Sequence, residues 1–89
     1  MKIPKQFNLG AITWTVEEKD PLMGSMGATY VGQGKVELLK SMPPQIKKQT
    51  YCHELVHCIM FAMGKPTHDE EFVDAFATFL HQYLEQYHK

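Results

Sequence analysis

Tyr51–Met60, YCHELVHCIM, sets His53 and His57 four residues apart with Glu54 directly after the first. On an α-helix such a pair projects from one face about 40° apart, so two imidazoles from one turn can share a single ion. Glu54 lies about 100° round from His53, which aims its carboxylate beside that ion as a base for water. Zinc fits this chemistry, because a catalytic zinc takes three protein ligands, keeps one position open and lowers the pKa of water to roughly 7.

A third ligand has to come from outside the segment. A metzincin continuation would need Gly and His where Met60 and Met63 stand, so it is excluded. The deformylase arrangement also fails, since Cys52 directly precedes His53 instead of lying well upstream. Downstream, HDEEFVDAFATFL places Glu70 and Asp74 at i and i+4 on one helical face. Glu70 is read as the ligand and Asp74 as the acceptor for the outer nitrogen of a ligand histidine, which fixes tautomer and ring position. Glu71 is the alternative ligand. His68 is a further candidate for ligation or oxyanion contact, against its reading as a solvated first-turn residue. Thr67-x-x-Glu70 also fits a capping box, a structural role that competes for the same carboxylate.

Working outward, Pro43 and Pro44 suit a first helical turn, and helical polarity runs on through Met63 until Gly64 and Pro66 stop it. A KPTH link leads to a second helix. There Phe72, Phe76, Phe79, Tyr83 and Tyr87 recur at three- and four-residue steps, joined by Val73, Leu80 and Leu84, and the aromatic stripe is expected to be core. Cys52 and Cys58 are expected to be small buried fillers, and His81 and His88 to face solvent.

The first forty residues read as strands and turns. In FNLGAITWTVEE, Ile12, Trp14 and Val16 alternate with Thr13 and Thr15, the pattern of a half-buried strand. The breakers in KDPLMGSMG argue for a loop, with Met23 and Met26 half-buried in preference to forming a lid over substrate. A further hairpin is expected in ATYVGQGKVELLK, around Gly32 to Gly34. The fold class is therefore α+β: a small antiparallel or mixed N-terminal sheet followed by two helices, one domain over residues 1–89.

HELVH followed by Glu70-x-x-x-Asp74 resembles the gluzincin pattern. Within that group, the order of elements and Glu70-x-x-Val73-Asp74-x-Phe76-Ala77 are similar to the ImmA/IrrE-type metallopeptidases and related small phage-encoded proteins, whose second helix carries Glu-x-x-Ala-Asn-x-Phe-Ala. Val73 and Asp74 depart from Ala-Asn, and the 12 residues between His57 and Glu70 form a shorter link than in larger gluzincins. The resemblance is specific over about residues 50 to 80. It implies a minimal zincin-like fold, zinc held by His53, His57 and Glu70, and a peptide or protein substrate, often a repressor. It also implies that strand Val36–Leu39 lies beside the metal and takes a peptide by edge pairing. Tyr30, Tyr83 and His68 are the candidates for stabilising the oxyanion. The rival reading is a zinc-stabilised protein-binding module with weak or no hydrolysis.

Composition narrows the classes. Nine Lys, no Arg and ten acidic residues give a formal net charge of −1, without the basic footprint that nucleic-acid binding needs. No stretch approaches the roughly 20 apolar residues that span a bilayer, and the first ten residues hold no run of signal-peptide length, so a cytoplasmic location without a membrane partner is expected. On one helix, Cys52 and Cys58 point about 240° apart, which forbids a strain-free mutual disulfide and agrees with a reducing compartment.

Overall fold

The computed structural model describes residues 1–21 and 24–87; the expectations for Met23 and His88 lie outside the described residues. Four strands come first: β1 (Gln6–Leu9), β2 (Ile12–Lys19), β3 (Gly27–Tyr30) and β4 (Lys35–Leu39), with a 3-10 turn at Val31–Gln33 between the last two. Two helices follow, α1 (Pro44–Ala62) and α2 (Glu70–Tyr87). The sheet is mixed, in the order β1-β2-β4-β3, with β2 and β4 parallel and the outer pairs antiparallel. The architecture is α+β, as the sequence indicates.

Trp14, fully buried, marks the inner face of β2, and Thr13 and Thr15 point the other way. Its ring stacks on Phe7 of β1 at 6.4 Å between centroids, and Phe7 meets Tyr51 of α1 edge-on at 6.3 Å. In β4, Val36 and Leu38 are fully buried, while Glu37 on the opposite face receives Lys19 Nζ at 2.6 Å and Lys35 Nζ at 3.2 Å. Each fully buried aliphatic or aromatic side chain contributes about 1.5–3 kcal/mol. Gly34 holds the register here: at φ 58°, a Cβ would stand 2.8 Å from the Thr13 carbonyl oxygen, so only glycine lets β4 enter beside β2.

α1 is the middle layer, packed on β1, β3 and β4 on one side and on α2 on the other. That position explains buried residues at Tyr51, Cys52, Val56 and Cys58, spread around the helix instead of along one stripe. α2 covers α1 with Val73 and Ala77, flanked by Leu80 and Leu84.

Two expectations are corrected. The aromatic stripe of α2 is not core: Phe72, Phe76, Phe79, Tyr83 and Tyr87 are 49–70% exposed. Val73, Ala77, Leu80 and Leu84 form a second apolar stripe along the same helix, and it is this stripe that is buried against the core. His81 does not face solvent; its ring is half-buried and its Nδ1 lies 2.7 Å from Gln49 Oε1.

Candidate metal centre

His53 and His57 project from α1 toward the N-terminal turn of α2, and Glu70 answers them. His53 Nε2 lies 3.1 Å from Glu70 Oε2, and His57 Nε2 lies 3.1 Å from Glu70 Oε1. One ligand atom from each of the three residues falls within 4.8 Å of the others. Donors on a tetrahedron at about 2.0–2.1 Å from zinc stand about 3.3 Å apart, close to the separation of each histidine from its Glu70 oxygen.

The outer nitrogens face further groups. Asp74 Oδ1 stands 3.6 Å from His53 Nδ1, near the place expected for it but beyond hydrogen-bond distance. His68 Nε2 lies 2.7 Å from the Lys65 carbonyl, which can only accept, so this nitrogen carries the hydrogen. His68 Nδ1 then accepts the hydrogen of His57 Nδ1 across 2.6 Å. His57 Nε2 is left with its lone pair aimed at a carboxylate oxygen, a repulsive contact unless a cation or a second proton lies between. Burial pushes His57 below its ordinary pKa, against the opposing pull of the Glu70 carboxylate, and disfavours the second proton. The donor set therefore suits a cation.

Glu54 is almost fully buried, at 7% exposure, and its carboxylate is held from the sheet. Thr29 of β3 donates to Glu54 Oε1 at 2.6 Å. Next to Thr29 along the same edge, Gly27 leaves room for that carboxylate: a Cβ there would stand 2.8 Å from Thr50 Cγ2 and 3.3 Å from Glu54 Oε2. Neither Thr29 nor Gly27 was singled out by the sequence, because nothing local announces that β3 is the strand against the helix. A cavity of about 430 Å³ opens onto Glu54, His53, His57 and Glu70, with Phe61 and His68 on its wall. A second hollow of about 320 Å³, reached past Met26, Ile46 and Asp74, shares Gly27, His53 and Glu54 with it. The two together make a groove running along β3.

Other expected residues fall elsewhere. The strand expected to receive a peptide, Val36–Leu39, lies inside the sheet between β2 and β3 with both edges paired; β3 is the outer strand beside the site. Thr67 and Glu70 form no capping box, since Asp69 Oδ1 caps α2 by accepting from the Glu71 N–H at 3.0 Å. Glu71 is exposed and outside the trio of His53, His57 and Glu70, and His68 stands behind His57 instead of joining it. Tyr30 and Tyr83 do not line the cavity around the trio. Cys52 and Cys58 are fully buried free thiols, and burial pushes them up to about 11 and about 12. Among the described residues no helix is long and apolar enough to cross a membrane. No family model, curated protein or solved structure matches the chain.

Proposed function

We propose that the chain is a small zinc metallopeptidase of gluzincin type, with His53, His57 and Glu70 as ligands and Glu54 as general base. The observation that carries the reading is the convergence of two Nε2 atoms and a carboxylate from a second helix within 4.8 Å. Its support is the neighbouring carboxylate of Glu54, buried and held by a hydroxyl from the sheet.

When bound, zinc supplies Lewis-acid polarisation of a carbonyl and acidifies water. Glu54 takes the proton of the attacking water and delivers it to the departing amine nitrogen. Thr29 fixes one carboxylate oxygen and leaves the other for proton transfer. The groove along β3, a strand paired on one side only among the described residues, suits an extended peptide adding to the free edge. Two unpaired thiols agree with an intracellular, reducing location.

A zinc-stabilised protein-binding module is the second reading, and one observation favours it. His68 is committed to His57 and neither tyrosine candidate lines the cavity, so none of the three candidates is placed to donate to the oxyanion. Zinc content and peptide-library cleavage, compared between wild type and Glu54→Gln, separate the two. One zinc per chain in both, with cleavage only in wild type, is expected; zinc in both without cleavage in either leaves the binding module. Wild-type protein without stoichiometric zinc overturns both readings.

A further inference from the structure

We propose that the exposed aromatic face of α2 is a homodimer interface, in which two copies of α2 pack antiparallel across a two-fold axis. The face is built for burial and is not buried in the single chain: Phe72 is 51% exposed, Phe76 49%, Phe79 70%, Tyr83 57% and Tyr87 67%. Beside them on the helix stand Ala75, Gln82 and Gln86, so an arc of roughly 140° carries no charged residue.

The spacing identifies the occupant. Reversed about a centre between Phe79 and Leu80, positions 72 and 87 exchange, as do 76 and 83, and Phe79 falls on Leu80, so the row maps onto itself as an apolar pattern. An isologous contact requires such self-complementarity. Turned about that centre, Phe72 meets Tyr87 of the second copy, Phe76 meets Tyr83, and Phe79 enters the shallow hollow of about 320 Å³ formed by Phe76, Phe79, Leu80 and Tyr83. The tyrosine hydroxyls remain at the rim, where water can reach them.

Area is sufficient. Five aromatic side chains of about 150–250 Å² each, half or more exposed, offer on the order of 500 Å² per copy and about 1,000 Å² per pair, the lower bound of a specific interface. A lipid surface fits poorly, because the rest of α2 carries Glu70, Glu71, Asp74 and Glu85 and no lysine from Glu70 to Tyr87, the reverse of a helix that settles on anionic lipid.

Sedimentation velocity of the full chain, from about 1 μM to about 200 μM to cover the affinities open to an interface of this size, tests the pairing. Wild type is expected to approach twice its 10.3 kDa mass, and Phe79→Glu to remain monomeric with an unchanged circular dichroism spectrum. Because Cys52 and Cys58 are buried, Phe79→Cys should cross-link to itself on mild oxidation while Phe72→Cys should not. A wild type that stays at 10.3 kDa throughout, or a Phe72→Cys protein that links as readily as Phe79→Cys, overturns the antiparallel dimer.

Discussion

Thr29, on the outer strand of the sheet, donates its hydroxyl hydrogen to Glu54 on α1 at 2.6 Å, so the sheet positions the proposed base. Thr29→Val removes the donor and keeps the shape. Zinc content should be unchanged, while peptide hydrolysis falls about tenfold, the scale of a lost supporting hydrogen bond. Thr29→Ser should recover most of the rate. A Thr29→Val protein with the wild-type rate would remove the hydroxyl from the mechanism.

Glu70 and Glu71 are neighbours with opposite expected effects. Glu70→Ala should release zinc to a chelator that leaves wild type loaded, whereas Glu71→Ala, outside the trio, should retain it. Asp74→Ala is expected to weaken zinc by about 10- to 100-fold through misorientation of His53. Competition against a chromophoric chelator reads all three.

His68 is expected to act through His57, whose Nδ1 it meets at 2.6 Å. His68→Phe leaves the His57 Nδ1 hydrogen without its acceptor and should weaken zinc by about 10- to 100-fold. His68→Asn, whose side-chain carbonyl can accept that hydrogen, should recover part of the loss. Equal affinity in all three proteins would exclude the relay from the Lys65 carbonyl.

Acid stability should depend on Glu37. The hydrogen bond from Lys19, then that from Lys35, holds its carboxyl below the usual carboxylate range despite burial. A depressed folded value favours the ionised form, so the stabilisation is present above the unfolded value near 4.5 and is lost as pH falls through the folded one. Urea midpoints measured from about pH 7 down to about pH 3 should decline less steeply for Glu37→Gln than for wild type.

The sequence reveals what is local. His53, Glu54 and His57 are set by helical periodicity within five residues, and Glu70 with Asp74 by the same rule on the next helix. The parts contributed by β3 are not visible there, because Thr29 reaches Glu54 only once β3 pairs with β4 and both lie on α1, a separation of 25 residues. The resemblance implies a free edge at Val36–Leu39, yet that strand lies between β2 and β3, because a strand's own residues do not say which neighbours flank it. The aromatic face of α2 is misjudged for another reason. Two apolar stripes share that helix, and helical periodicity alone does not say which of them meets α1. The stripe that meets the core is Val73 and Ala77 with Leu80 and Leu84.

The proposed ligands are divided between two helices joined by the short stretch after Met63, two on α1 and the third on the first turn of α2. A shared ion would thus act as a latch, fastening the opening turn of α2 to the middle of the protein. Chelation would then be felt as a structural event as well as a chemical one: the outer helix would loosen from that end while the sheet kept its protection.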